Sequence, residues 1–325
     1  MLHLGNDGKA KVMNGQDRIA GALLGMAAGD ALGAGYEFAD PPRGEVAMIG
    51  GGLGDFAPGE WTDDTSMAVC IAEVTATGRL DFEAIGERFL DWHRSGPADI
   101  GISTGEVLRR ARSGSELASV AAAYFDSHPK GAAGNGALMR TAPVALAHLG
   151  DDEAIATAAR AAAELTHGDP LAGDSCVLWC IAIDRAIRKS RLDGVRDGVA
   201  HLPDSRRQYW SDALTQAEQR PPRSFTPNGF TVTALQAAYA AIAQTPIPEA
   251  EPARHLEDAL VEAVRIGDDT DTVAAIAGMV LGARWGASAI PDAWRDMLHG
   301  WPGMQASDLE RLAILTTNGG RATDN

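Results

Sequence analysis

Apolar residues return at intervals of three and four along almost the whole chain, while alternating β-type runs are hard to find. Phe82, Ile85, Phe89 and Trp92 step by 3, 4 and 3, and Val232, Leu235, Tyr239 and Ile242 do the same. That spacing lines one face of a helix, because a helical turn takes 3.6 residues. Met67, Cys70, Ile71 and Val74 repeat it after Asp64, as do Leu117, Val120, Ala121 and Tyr124 after Ser115. Two later stretches, Leu171 to Ile187 and Val273 to Trp285, are nearly continuous in apolar content and suit helices buried on several sides. Asp169 at the N-cap and Pro170 at N1 open the first of them. Val46 to Ile49 is too short to count as a strand. The expected fold is all-α. Small residues at helix contacts and the lack of a fixed repeat favour a compact orthogonal bundle of many helices over a solenoid.

Composition narrows the partners. Forty-four acidic against 28 basic residues give a net charge of −16, which opposes docking on a nucleic-acid backbone or an anionic membrane surface. No apolar run is expected to reach the roughly 20 residues of a membrane span. Met1 to Gln16 is polar where a signal peptide needs an apolar segment. Cys70, Cys176 and Cys180 show no CxxC or Cys/His spacing suited to zinc. They read as reduced core cysteines of a cytoplasmic protein.

Two acidic clusters carry the chemistry. Trp61-Thr62-Asp63-Asp64-Thr65 stands where a glycine-rich loop meets a helix start, and Gly267-Asp268-Asp269-Thr270-Asp271-Thr272 stands at the start of the apolar helix from Val273. Either alone reads as an N-cap, since Asp and Thr oxygens satisfy the orphan N–H groups of a first turn. One helix start needs one cap, however, and the second cluster packs three carboxylates and two hydroxyls against a buried element. Such an excess calls for a cation. Oxygen ligands without His or Cys select hard ions such as Mg²⁺, Mn²⁺ or Ca²⁺ over Zn²⁺. If the clusters converge, Asp63, Asp64, Asp269 and Asp271 offset the charge of two divalent ions, which can orient substrate hydroxyls and activate a water.

Other segments have a bland reading beside a functional one. Gly131 to Gly136 is either a turn or a helix entry whose N–H groups face an anion ahead of an expected helix from Ala137 to Leu149. His167 can be a helix-end dipole partner, Asp99 an N-cap and Glu37 a surface residue.

Taken in order, Gly29-Asp30-Ala31-Leu32-Gly33 with Glu37, the WTDDT cluster, Gly134-Asn135-Gly136 with Met139-Arg140, Thr166-His167, and the GDDTDT cluster resemble the ADP-ribosylglycohydrolases. That family includes ADP-ribosyl-arginine hydrolases and the glycohydrolase that reactivates dinitrogenase reductase. The resemblance runs from about Asp17 to Ile290-Pro291 and implies one domain over residues 17–318, between a flexible N-terminal segment, 1–16, and a C-terminal tail, 319–325. It implies an all-α hydrolase with two Mg²⁺ or Mn²⁺ ions held by Thr62, Asp63, Asp64, Asp269, Asp271 and Thr272. It places Glu37 beside the scissile bond, so that Glu37 with Asp63 and Asp64 forms the catalytic set. Gly134, Asn135, Gly136, Met139 and His167 become substrate contacts, as do Asp99, Ile100, Gly101, Ser103 and Thr104 of a further loop. Family members usually carry Gly where this chain has Asp268, which leaves the register of Asp268-Asp269 open.

The implied reaction cleaves ADP-ribose from an acceptor, with arginine on a protein first and serine, O-acetyl-ADP-ribose or a small molecule behind it. Two rivals stand beside it. One is a non-catalytic ADP-ribose-binding or toxin-immunity protein that blocks a partner, against which the complete ligand set argues. The other is an unrelated dinuclear phosphoesterase, for which His167 and Arg140 are the nearby phosphate-binding candidates.

Overall fold

The computed structural model describes residues 7–129, 131 and 133–321, with side chains from Gly15 onward. Helices succeed one another as the periodicity predicts: α1 (Asp7–Gly33), α2 (Asp63–Thr75), α3 (Phe82–Arg94), α4 (Ile102–Arg110), α5 (Leu117–Ser127), α6 (Ala142–Ala147) and α7 (Asp152–Glu164). They continue with α8 (Pro170–Lys189), α9 (Asp204–Gln219), α10 (Thr231–Gln244), α11 (His255–Val264), α12 (Thr270–Trp285), α13 (Asp292–Met297) and α14 (Ala306–Thr317). Between α13 and α14 a two-residue ribbon pairs β1 (His299–Gly300) with β2 (Met304–Gln305), antiparallel. Val46 to Ile49 forms no strand.

The stripes read from the sequence face inward. Ile85, Phe89 and Trp92 of α3 are buried, as are Val232, Leu235, Tyr239 and Ile242 of α10. Asp169 caps α8 by accepting the Leu171 N–H at 2.9 Å, with Pro170 in the first turn.

One seam organises the interior and brings the acidic residues together. Gly21, Gly25, Gly29 and Gly33 lie on one face of α1, four residues apart, and press against the backbone of α12. A Cβ at Gly21 would collide with the Gly282 carbonyl, at Gly25 with that of Gly278, at Gly29 with that of Ala274, and at Gly33 with the backbone of Asp271. Only hydrogen fits between helices this close. The Thr270 hydroxyl closes the seam with a 2.8 Å bond to the Gly33 carbonyl. The end of α1, with Asp30, is therefore set against the start of α12, with Asp269 and Asp271.

Two expectations need correction. Gly15–Tyr36 is long and apolar enough to cross a membrane, with mean hydropathy 1.2, so the chain does hold a run of that length. Its apolarity serves the core instead: 83% of the window is buried within the protein. Ile19, Leu23, Leu24, Met26, Leu32 and the alanines between them supply it, and the glycines, with Asp17, Arg18 and Asp30, break it up so that it does not announce itself as a hydrophobic block. The glycine-rich segment, for its part, leads into a 3₁₀ stretch, Asn135–Arg140, and then the short α6, where one helix from Ala137 to Leu149 was expected. At the N-terminus α1 reaches back to Asp7, into the segment expected to be flexible; residues 1–6, and 322–325 of the expected tail, lie outside the described residues.

Candidate active site

The first turn of α2 is capped from another helix. Thr62, at the N-cap, makes no side-chain cap bond. Asp30 of α1 does the work: its Oδ1 accepts the Thr62 N–H at 2.9 Å, and its Oδ2 accepts the Thr65 N–H at 3.0 Å and the Thr65 hydroxyl at 2.6 Å. Two backbone donors of the helix start, those of Thr62 and Thr65, are thus satisfied across the seam. The carboxylates of Asp63 and Asp64 remain available for another partner.

At α12 the same device uses Asn228. The Asp269 side chain makes no cap bond. Its N–H donates to Asn228 Oδ1 at 3.0 Å, and Asn228 Nδ2 donates to the Gly267 carbonyl at 3.1 Å. Asn135 then donates through Nδ2 to the Asn228 carbonyl at 3.1 Å and to Asp269 Oδ2 at 2.6 Å. The capping role that each cluster invited is therefore filled by Asp30 and Asn228, neither of which belongs to the metal, catalytic or substrate sets expected from the sequence. Asp268 has φ +60°, the left-handed region that Asp tolerates and Gly occupies freely. A Gly would be accommodated there without strain. Asp268 contributes its carbonyl to the Phe38 N–H at 2.7 Å, while Asp269 faces the cavity.

The clusters converge. Thr272 donates through its hydroxyl to Asp64 Oδ1 at 3.3 Å. Carboxylate oxygens of Asp30, Asp64 and Asp271 lie within 4.8 Å of one another, and so do oxygens of Glu37, Asp269 and Asp271. Asp271 belongs to both groups. Glu37 Oε2, Asp64 Oδ2 and Asp271 Oδ1 are buried without a hydrogen-bond partner, an arrangement that costs stability unless something positive fills it. Burial, followed by the charges of Asp269, Asp99, Asp63 and Asp30, pushes the Glu37 carboxyl up to about 9. Burial and the neighbouring carboxylates also hold Asp63, Asp64 and Asp271 well above the usual range. An all-oxygen donor set with orphaned acceptors fits a hard cation.

Above the carboxylates opens a cavity of about 470 Å³. Every residue assigned from the sequence to the metal, catalytic and substrate sets lines it except Thr62 and Asp64, which are buried. Glu37 follows a 3₁₀ turn and is held by its neighbours, through the Phe38 N–H and through the Tyr36 hydroxyl, which donates to the Ala47 carbonyl at 3.2 Å. Asp99 does not cap α4; its Oδ1 accepts its neighbour Ile100's N–H at 2.8 Å. Exposed Phe38, Leu53 and Ile102 also line the cavity. The N–H of Asn135, at the start of the 3₁₀ stretch, is not free for an anion, because it donates to the Gly229 carbonyl at 3.1 Å. Gly136 is needed for space: a Cβ there would stand 3.1 Å from His167 Cε1 and from Thr104 Oγ1. Arg140 turns away from the cavity and is 1% exposed, so it is no phosphate clamp.

The sequence matches the family model described as ADP-ribosylglycohydrolase over residues 12–323. The chain belongs to the ADP-ribosylglycohydrolase family. As an ADP-ribosylglycohydrolase it is a hydrolase. It is 32% identical over 292 residues to the ADP-ribosylarginine hydrolase Tri1 of Serratia proteamaculans (strain 568), covering 87% of this chain and 75% of that protein. It is 31% identical over 293 residues to the ADP-ribosyl-(dinitrogen reductase) glycohydrolase of Rhodospirillum rubrum, covering 87% of this chain and 90% of that protein. A solved structure described as an ADP-ribosylglycohydrolase-related protein complex matches with a TM-score of 0.73 and 30% identity, over 95% of this chain and 100% of that one.

Proposed function

We propose that this ADP-ribosylglycohydrolase hydrolyses the glycosidic bond between the distal ribose of ADP-ribose and an arginine guanidinium on a protein. The products are ADP-ribose and the unmodified side chain. The observation that carries the reading is the pair of carboxylate groups joined through Asp271, set against a cavity lined by Asn135, His167 and Glu37. Thr62, Asp63 and Asp64 on one side and Asp269, Asp271 and Thr272 on the other would hold two divalent ions, Mg²⁺ or Mn²⁺. Such ions supply Lewis-acid polarisation and orient hydroxyl oxygens of a bound sugar.

The protein's own groups have distinct tasks. Glu37 stands beside Asp269 and Asp271 and puts a carboxylate at the reacting ribose, where it moves a proton or stabilises developing positive charge. Arginine as acceptor is supported by the similarity to an ADP-ribosylarginine hydrolase. It is also supported by Asp99, a carboxylate of the cavity wall outside both groups, which suits a cationic leaving group. The three free, buried cysteines are in keeping with a cytoplasmic setting. The test is release of ADP-ribose from arginine-modified protein, with serine-modified protein in parallel, each with and without EDTA. Turnover of the arginine substrate that EDTA abolishes is expected; turnover of the serine substrate alone would overturn the acceptor assignment.

A further inference from the structure

Arg140 is a cation in the core that forms no ion pair among the described residues. Its guanidinium lies over the Phe89 ring, 4.5 Å from the centroid, and its donors reach Met67 Sδ at 3.4 Å, the Ala162 carbonyl at 3.3 Å and Thr166 Oγ1 at 2.7 Å. Burying a guanidinium without a counter-charge costs far more than packing an apolar side chain of its size. What Arg140 accomplishes there lies one bond further on.

A guanidinium only donates, so Thr166 Oγ1 accepts from Arg140. The hydroxyl has one proton of its own, and the other group in reach of Oγ1 is His167 Nδ1, at 2.8 Å. Directing that proton to Nδ1 satisfies all three groups; placing the imidazole proton on Nδ1 instead would leave the buried hydroxyl proton without an acceptor. Nδ1 is then an acceptor, and the neutral ring carries its proton on Nε2. The Nε2 edge lies at the cavity wall beside Gly134 and Gly136, where an added Cβ would stand 3.3 and 3.4 Å from it.

We infer that Arg140 is a positioning residue: acting through Thr166, it fixes His167 as the Nε2–H tautomer and so sets a neutral donor in the cavity wall for an oxygen of the ADP-ribosyl group. The inference rests on the reading of this cavity as an ADP-ribosyl site. A neutral donor has a specific merit beside so many carboxylates. An imidazolium would be drawn to them in competition with the cations, whereas a neutral N–H serves a phosphate or hydroxyl oxygen and leaves the acidic cluster alone.

Long-range ¹H–¹⁵N correlation on the full chain, with Mg²⁺ present, reads the tautomer, the His167 signals being assigned by their loss in His167→Gln. Wild type should show protonated Nε2 and bare Nδ1. Thr166→Val keeps the shape without the hydroxyl, and should give mixed tautomers and roughly tenfold weaker ADP-ribose binding by calorimetry. Thr166→Ser should restore both. A wild-type Nδ1–H tautomer overturns the inference, as does a Thr166→Val protein with wild-type tautomer or with unchanged affinity. Wild-type protein that binds no ADP-ribose overturns the functional reading and the ligand half of this inference, while the resonances still decide the tautomer.

Discussion

Asp30 and Thr65 are joined twice: the Thr65 N–H, at 3.0 Å, and its hydroxyl, at 2.6 Å, both donate to Oδ2 of Asp30. A residue of the first helix thereby finishes the start of the second and leaves the acidic side chains of that start unspent.

Asp30→Ala removes this cap and strands the buried N–H groups of Thr62 and Thr65. At about 1–3 kcal/mol for each orphaned donor, thermal unfolding should shift down by several degrees, and Mg²⁺ titration should show weaker binding as Asp63 and Asp64 lose their alignment. A variant that melts and binds like wild type would show that α2 is capped by other means.

Removing cations should destabilise the fold, because Glu37, Asp64 and Asp271 then keep buried acceptors without partners. An ion at a hundred times its dissociation constant adds about 2.7 kcal/mol, which for a chain of this size raises the melting temperature on the order of 5 °C. Differential scanning calorimetry after exhaustive chelation, then with Mg²⁺, Mn²⁺ or Zn²⁺ restored, checks this. An identical melting curve throughout would end the metal-site reading.

Asp63→Asn and Asp271→Asn separate an enzyme from a binder. Each is nearly isosteric and withdraws one negative charge, so hydrolysis should fall by orders of magnitude while circular dichroism stays helical. Should either variant still protect cells from an ADP-ribosylating toxin as well as wild type does, blocking of the toxin would be preferred over catalysis.

Glu37→Gln preserves size and hydrogen bonding and withdraws the capacity to take up or release a proton. A positioned acid or base typically contributes 10²-fold or more, so kcat should drop by about that factor while ADP-ribose affinity changes little. Single-turnover hydrolysis beside calorimetric titration reads the split; normal turnover would return Glu37 to a merely structural role.

Burial, then the charge of Arg140, pushes His167 down to about 3, against an ordinary value near 6.5. Between those values the unfolded chain binds the proton and the folded chain does not. The stability from the neutral ring is therefore full above about pH 6.5 and is lost as the pH falls toward 3, with a slope of at most about 1.4 kcal/mol per pH unit. The raised carboxyls of the acidic cluster act in the opposite sense. Denaturant unfolding of wild type and His167→Gln across that range isolates the histidine by difference, and parallel curves would show that it protonates alike in both states.

Helix positions were legible because large apolar side chains mark one face at each turn, and Phe89, Trp92, Leu235 and Tyr239 are buried as that rule requires. The acidic clusters were legible through excess: more carboxylates stand at a helix start than a cap can use. What stayed hidden was the identity of the real caps. Asp30 sat in plain view within Gly29 to Gly33, and Asn228 in a loop between prolines and glycines, but a cap supplied across space leaves no local spacing to read. The register at Asp268 was hidden for a different reason, since a positive φ at a non-glycine residue is a property of the loop and not of the side chain.

The seam between α1 and α12 also orders events in time. Its two halves are far apart along the chain, with Thr270 bonded to a carbonyl 237 positions earlier. Contacts of such long range are entropically slow to close and are unavailable while the C-terminal part is still being synthesised. During translation the first helix must wait, with its glycine face uncovered, until α12 has left the ribosome. The two acidic clusters therefore cannot meet on a nascent chain before α12 arrives.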